Sequence, residues 1–496
     1  MIYAILFSII IISLLYYYLT YPLGYWKRLK IASADSVPLF GNISDFLFGR
    51  KHISIVYDVV YKSFPEEPYV GILELRSPNL IIRDASLAHR ILTKDYEYFY
   101  DRGIEIDEEL DPLTAHLVNL SGSRWKNTRS KLMPAFSSGK LKQMYPLIDD
   151  CAKELDQYLE QESGREEAGT DVRELMAKFS TDVIGRCAFG LDFNTMKDPE
   201  SSFRSIGKKI FVLSWSIVAR ICLRLINPRL LKWIRIRSTS KEVEVFFYNL
   251  LYDTIKFRKM NPGQDRYDIL QLMCHIQEQD EKQGVPKDER LTDTLLVANM
   301  FVFFAGGFET TASTLSYCLY ELALNPDIQE KARAEICQLM ESKNSSLDYD
   351  SLNELNYLEL VLMETLRKYA PIPLASRICT RPYNLPNTSI VLKEKLRVTI
   401  PIHSYHHDPK YFSNPEAFCP ERFKEYDKLA YLPFGDGPRI CIGLRLAKLE
   451  MKSCLARIIA KYEFSVCSQT KIPIEFKSRS IFLTPNHPIN LKVRKI

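Results

Sequence analysis

The run Phe434-Gly435-Asp436-Gly437-Pro438-Arg439-Ile440-Cys441-Ile442-Gly443 presents one cysteine on a glycine-punctuated loop, with an arginine two residues before it and an amphipathic helical pattern directly after it. A thiolate that serves as the axial ligand of a haem iron must stay deprotonated while buried, and helix N-terminal amides plus nearby positive charge lower a thiol's pKa. Cys441 has both at hand. Gly437 and Gly443 let the backbone approach a flat macrocycle with no Cβ in the way, so that loop amides can point at the sulfur. Arg439 is placed to reach a propionate, and Phe434 to pack against the loop. Read alone, the same residues also describe a buried, inert cysteine in a turn, since free cysteine is among the most buried residue types.

A second chemical feature stands in the middle of the longest helical pattern. Thr292 can cap a helix that begins at Asp293, and Asn325-Pro326 ends it; at ~48 Å such a helix would cross a whole domain. Its centre reads Ala305-Gly306-Gly307-Phe308-Glu309-Thr310-Thr311. Two adjacent glycines inside a helix cost ~1 kcal/mol each relative to alanine, so the position needs another justification, and the missing side chains leave room for a flat ligand. Thr310 lies four residues after Gly306, so its hydroxyl can take over that carbonyl and widen the helix locally. The competing reading is a tight helix crossing with a back-bonded threonine.

Two further motifs gain weight from their order relative to Cys441. Glu364-Thr365-Leu366-Arg367 sets an acid and an arginine three apart on one helix face, and Pro420-Glu421-Arg422-Phe423 supplies a second arginine. Trp125 and Arg129 stand one helical turn apart, and both can donate to a propionate.

Phe-x-x-Gly-x-Arg-x-Cys-x-Gly resembles the haem-ligand signature of the haem-thiolate monooxygenases, the cytochromes P-450, and the resemblance extends from the N-terminal apolar segment to the end of the chain. It implies a mainly α fold with a minor β region and Cys441 as the metal ligand of haem b. Trp125, Arg129, Arg377 and Arg439 become propionate donors, with Phe434, Gly306 and Gly443 as further cofactor contacts. Thr310 and Glu309 become the oxygen-activating alcohol and the acid that helps deliver protons, while Glu364, Arg367 and Arg422 form a structural network that fixes the haem loop. Electrons would come from NADPH through a flavoprotein reductase, with cytochrome b5 as an additional donor. The texture of Asp111 to Leu117 and of Trp125 to Lys142 is similar to insect microsomal enzymes that metabolise xenobiotics, although the usual proline-rich hinge after the anchor is missing.

The elements that must hold these groups are legible in outline. The 496 residues are 46% hydrophobic and 26% charged, as in a large globular protein, and with no linker or repeat after residue 40 we expect one catalytic domain, 41–496. Residues 1–22 carry no charged side chain and are long enough to span a bilayer, and they lack the basic start and cleavage site of a secretory signal. They read as an uncleaved anchor, with Tyr16, Tyr17, Tyr18 and Trp26 as an interfacial belt and Lys27, Arg28 and Lys30 as the cytosolic flank; 23–40 reads as linker. The localisation this implies is the endoplasmic reticulum membrane, catalytic domain facing the cytosol. Amphipathic helices are expected near 141–162, 171–188, 241–260, 293–324, 327–342 and 351–369, a hairpin over Tyr69 to Leu75 and Leu80 to Arg83, and strands at 388–401 and 473–493.

Composition narrows the function classes. Eleven scattered cysteines show neither a disulfide framework nor zinc-ligand spacing, and His403, His406 and His407 read as surface or turn histidines. A net charge of +5 without a long basic tract gives no reason to expect nucleic acid. Arg124, Lys126, Arg129 and Lys131, with Arg445, Lys448 and Lys452, could form a dock for an acidic electron donor or merely solvated helix faces. Ile210 to Arg237, apolar with Trp215, Trp233 and arginines interleaved, could lie in a membrane interface or form core helices.

By helical spacing Val302, Ala305 and Gly306 share the face of Thr310, and the resemblance adds Val118, Ile372, Leu374 and Ile481 to an apolar substrate wall. We expect insertion of one atom of dioxygen into lipophilic substrates, xenobiotics such as plant toxins or insecticides first and an endogenous steroid or lipid second. A haem-thiolate protein that binds ligands or rearranges peroxides is the reading from a different class, and a membrane scaffold a further one.

Overall fold

The computed structural model describes residues 2–162, 169–198, 201–211, 215–226, 234–261, 267–343 and 347–496. Its centre is the helix Asp293–Leu324, capped by the Thr292 side chain, which accepts from the Leu295 amide. Most of its residues are buried, because other helices surround it on nearly every side. Val172–Ile184 makes the most extensive of these contacts, and Lys241–Met260, Ile269–Lys282, Pro326–Ser342, Asn356–Lys368 and Leu444–Ile459 pack around the remainder. One apolar core gathers residues from Tyr96 to Val493 about this axis. The helix Ser138–Glu162 lies against Leu444–Ile459, the helix that follows Cys441.

The minor β region lies to one side. Tyr69–Glu74 and Ser77–Ile82 form the expected antiparallel hairpin, and Ser77–Ile82 then pairs in parallel with Arg397–Ile400, whose other edge pairs antiparallel with Ala375–Ile378. This sheet fixes Arg377 and the Ile372–Leu374 approach to it. A second sheet pairs Tyr462–Val466 with Asn490–Lys495, so the expected 473–493 strand begins far later, and the intervening residues run as turns that reach the domain centre.

Three expectations need correction. Trp26 does not sit in an interfacial belt: it is 2% exposed, its indole N–H donates to the Ile72 carbonyl at 2.8 Å, and a Cβ on Gly71 would collide with its ring. The residues expected as linker therefore fold onto the sheet from Tyr25 onward, with Ser33 bridging to Gly71. The apolar helix Ile2–Thr20 buries no residue, as a membrane anchor requires, and its end touches the hairpin turn where Arg76 lies over Tyr18. His403 and His406 are buried rather than superficial, in the short helix Ile402–His406, where the hydrophobic surroundings leave them neutral.

In the Ile210 to Arg237 stretch, the helix Trp215–Ile226 turns Val218 and Leu225 into a small core shared with Ile43, Leu47 and Val70. Arg229, Lys232 and Trp233, and the side chains of Trp215 and Arg224, lie outside the described residues.

Burial holds His52 at a pKa of about 4 and pushes His403 and His406 well below the ordinary imidazole value of 6.5. Below pH 6.5 the unfolded chain takes up protons that the folded one refuses, so stability falls as pH drops, by ~1.4 kcal/mol per pH unit for each such histidine. The contribution of His52 levels off near pH 4. Urea-unfolding midpoints of the haem-loaded protein should accordingly decline steadily from about pH 6.5 downward, and His52→Gln should flatten part of that decline.

Candidate active site

Cys441 stands on a loop closed by its own amide donating to the Phe434 carbonyl at 3.0 Å. Gly435 and Gly437 adopt positive φ, the left-handed region that glycine enters without strain. Gly437 has a different task from the expected one: a Cβ there would come within 1.9 Å of the Leu92 carbonyl oxygen, so it lets the loop pass that backbone rather than a macrocycle. At Gly443 a Cβ would meet nothing closer than Phe136 at 3.9 Å, so that position is uncrowded.

Cys441 is an exposed residue although protein packs around its thiol, the pattern of a side chain that lines a slot open to solvent. Burial raises the thiol pKa, opposed by the Gly443 amide, Arg129 and Arg102. The stabilising groups expected from the sequence are thus present, but desolvation outweighs them, and it is metal coordination that deprotonates such a ligand outright.

Four guanidinium groups converge beside this slot. Burial and mutual repulsion lower Arg377 and Arg439 to about 9 and Arg102 to about 10, and burial lowers Arg129 as well. Backbone carbonyls aim them: Arg439 donates to Tyr100 at 2.9 Å and Leu120 at 2.7 Å, Arg129 to Ile440 at 2.8 Å, Arg102 to Val118 at 2.9 Å, and Arg377 to Ser376 at 3.0 Å. Trp125 is packed with the Arg439 guanidinium 4.0 Å from its ring centroid and that of Arg129 at 5.8 Å. Among the described residues Asp101, 3.7 Å from Arg439, is the one carboxylate paired with this cluster. So much buried positive charge needs anions from outside the chain, and the two propionates of haem b fit it. Sequence reading missed Arg102, because nothing in Asp101-Arg102-Gly103 signals which arginine turns inward; it also missed Tyr96, whose phenol lies among Arg439 and Arg377.

Across the slot, Gly306 faces open space, whereas Gly307 packs against Ile184, whose Cδ1 would lie 2.6 Å from a Cβ. Only the first glycine of the pair therefore makes room for a ligand. Thr310 Oγ1 donates to the Gly306 carbonyl at 2.5 Å, as its spacing predicts, yet the helix remains continuous from Asp293 to Leu324. Glu309 is buried and ion-paired with Arg173 at 2.5 Å, a partner from the start of Val172–Ile184 that no sequence motif announced. Val302, Ala305, Gly306 and Thr310 lie on one face between the deeply buried Phe303, Phe304 and Phe308. Val118, Ile372 and Ile481 expose 40%, 47% and 59% of their surfaces, while Leu374 packs toward the small N-terminal core. Ile372 and Ile481 come from segments tied together where the Leu483 amide donates to the Pro371 carbonyl at 2.9 Å.

Glu364, Arg367 and Arg422 form a buried cluster. Arg367 holds Glu364 through two bonds of 2.8 and 2.9 Å, Arg422 reaches the same carboxylate at 3.1 Å, and the Cys419 amide donates to it at 2.9 Å. Arg367 also donates to the His406 carbonyl at 2.7 Å, while His406 Nδ1 lies 3.0 Å from the Arg367 carbonyl and its Nε2 accepts from the Leu432 amide at 3.0 Å. Leu432 leads directly into the cysteine loop, so His406 connects the cluster to it.

The basic dock is smaller than its composition suggested. Arg124 pairs with Glu108, Lys131 with Asp280, and Lys448 and Lys452 with Glu359, while Arg129 turns inward. Of the set, Lys126 and Arg445 lack an acidic partner among the described residues.

A mainly helical fold with a cysteine loop, an anion-seeking arginine cluster and an open glycine on the facing helix defines a haem-thiolate protein. The family model for cytochrome P450 matches residues 32–493. The chain is 37% identical to cytochrome P450 6a2 of Drosophila melanogaster, covering 98% of each chain, and 36% identical to cytochrome P450 6k1 of Blattella germanica, covering 98% of this chain and 95% of that one. It is also 37% identical to the probable cytochrome P450 6a14 of Drosophila melanogaster, over 95% and 96% of the two chains. The chain belongs to the cytochrome P450 family: it is a haem-dependent monooxygenase supplied with electrons by a redox-partner reductase.

Arg102→Gln should loosen the cofactor without unfolding the chain. Loss of one charge-assisted bond to a propionate, worth ~1.5–3 kcal/mol, should speed haem transfer to an acceptor apoprotein by about 10- to 100-fold, with Arg102→Lys in between.

Proposed function

We propose that this enzyme oxidises lipophilic foreign compounds, plant toxins or insecticides among them, at the endoplasmic reticulum with its catalytic domain in the cytosol. The observation that carries the reading is the open space at Gly306 on the face of Val302 and Thr310, supported by the apolar side chains of Val118, Ile372 and Ile481, which remain accessible. A wall of that kind selects by shape and desolvation and discriminates little against unfamiliar scaffolds. The exposed apolar helix Ile2–Thr20 supports membrane attachment, and Lys126 and Arg445 support the approach of an acidic reductase or of cytochrome b5.

When bound, the haem supplies oxygen activation, its thiolate ligand donating electron density that favours cleavage of the oxygen–oxygen bond. The chain's own groups divide the remaining work. Cys441 holds the cofactor from the loop side, and Arg102, Arg129, Arg377, Arg439 and Trp125 orient it through the propionates. Thr310 offers a hydroxyl on the open side, its oxygen free to accept while its proton rests on the Gly306 carbonyl. Glu309, one residue away and tied to Arg173, holds and passes protons.

A panel of lipophilic compounds should produce spin-state shifts on binding, and NADPH with reductase should turn over several unrelated members. Response confined to one steroid or lipid would assign the enzyme an endogenous substrate. Products from an organic hydroperoxide alone, with none from reductase and NADPH, would make it a peroxide-rearranging protein. Thr310→Ala should retain haem and the red-shifted carbon monoxide band while diverting reducing equivalents to hydrogen peroxide; unchanged coupling would leave Thr310 a structural role only.

A further inference from the structure

We propose that the hydroxyls of Ser480 and Thr484 form the proton inlet to Glu309, an inference that rests on the reading of Glu309 as the proton-delivering acid. Glu309 Oε1 receives three donors: Arg173 at 2.5 Å, Ser313 Oγ at 3.4 Å and Thr484 Oγ1 at 3.5 Å. Arg173 cannot give up a proton at physiological pH, and Ser313 sits fully within the buried face of the long helix. Thr484 is different. It is half-buried, comes from a separate turn, and lies 3.3 Å from the hydroxyl of Ser480.

The direction of this chain follows from donor and acceptor chemistry. An ionised carboxylate only accepts, so the Thr484 proton points at Glu309, and the proton between the two hydroxyls must then belong to Ser480. Ser480 Oγ accepts in turn from the Phe482 amide at 3.2 Å, which leaves a lone pair for a water molecule. Both hydroxyls are thus aligned to pass protons inward.

The surroundings hold the turn in register. Tyr317 donates to the Leu483 carbonyl at 2.7 Å, the Leu483 amide donates to Pro371 at 2.9 Å, and His52 Nε2 lies 3.2 Å from the Phe482 carbonyl. The outer end of the turn lies at the surface: Arg479 packs so closely on Gly49 that a Cβ there would sit 2.8 Å from its Nε, and the neighbouring Arg50 and Lys51 are exposed. Ser480 itself is buried and follows the half-buried Arg479 in the chain, so the inlet requires bulk water to reach it past the Arg479 side chain. Glu309 Oε2, by contrast, has no hydrogen bond among the described residues, so a half-turn of the carboxyl group carries an acquired proton away from the inlet.

In one passage a hydronium ion gives its proton to Ser480 Oγ as the Ser480 proton moves to Thr484 Oγ1 and the Thr484 proton to Glu309. Three O–H bonds break and three form, both residues end as hydroxyls, and no electron changes hands. Rotation of the two hydroxyls resets the path.

The test uses the full-length, haem-loaded enzyme with Thr484→Val, Ser480→Ala, Thr484→Ser and Glu309→Gln. The carbon monoxide band and substrate spin shift report integrity, and infrared difference spectra in heavy water follow hydrogen exchange at the Glu309 carboxyl after a pH jump acidic enough to protonate it, its band assigned by loss in Glu309→Gln. Thr484→Val and Ser480→Ala should slow that exchange at least about tenfold and enlarge the solvent deuterium isotope effect on turnover, with Thr484→Ser restoring both. If Glu309→Gln lowers coupling but Thr484→Val exchanges and turns over like the parent enzyme, the inlet proposal is wrong and the reading of Glu309 survives. If Glu309→Gln leaves coupling and isotope effect untouched, that reading fails and the inlet falls with it.

Discussion

Guanidinium groups brought together inside a protein repel one another and lose their hydration; both effects are visible in Arg102, Arg377 and Arg439, and Arg129, lowered by burial, adds to the repulsion felt by Arg102 and Arg439. Such an arrangement is tolerable when anions complete it, and the rest of the architecture is consistent with serving that requirement. The sheet delivers Arg377, the Gly122–Leu132 helix delivers Arg129, and the cysteine loop delivers Arg439 together with Cys441. Folding and cofactor binding are coupled by this charge: a propionate that pairs with the cluster relieves repulsion the polypeptide alone cannot relieve.

A loop that offers a thiolate to a metal also needs mechanical support, because a sulfur displaced by a fraction of an ångström would change that bond. Support comes from a polar cluster that reaches the loop through His406 and Leu432. Glu364 is satisfied by Arg367, Arg422 and the Cys419 amide, and Arg367 spends its remaining donors on carbonyls of His406 and Pro415. Removing one partner would leave a buried charge unpaired, which is why such clusters resist piecemeal change. His406, neutral and fully buried, completes the connection to Leu432. On the opposite side, the helix Asp293–Leu324 carries an opening at Gly306 without losing continuity, since Gly307 is filled by Ile184 and Thr310 bonds back to the exposed carbonyl.

Much of this was legible before any coordinates. The cysteine loop, the Gly306 to Thr310 stretch and the Glu364–Arg367 pair are short-range patterns whose chemistry is set by residue type and spacing, and the long helices announce themselves by periodicity. The errors came where a residue's surroundings lie far along the chain. Trp26 looked interfacial because it follows an anchor, yet Gly71 provides the slot it fills. Lys131, Lys448 and Lys452 looked like a basic surface because their partners Asp280 and Glu359 belong to other helices. Arg102, Arg173 and Tyr96 were missed for the same reason.

By itself, then, the sequence determined the cysteine loop, the class of cofactor, the apolar N-terminal helix and the mainly helical fold, because each rests on neighbours in the chain. Only the tertiary structure decided which arginines face the slot, which of two adjacent glycines opens it, and which hydroxyls reach Glu309. Those are questions of side-chain direction and long-range pairing, and a linear pattern specifies neither until the helices and the crossing strands have been packed against one another.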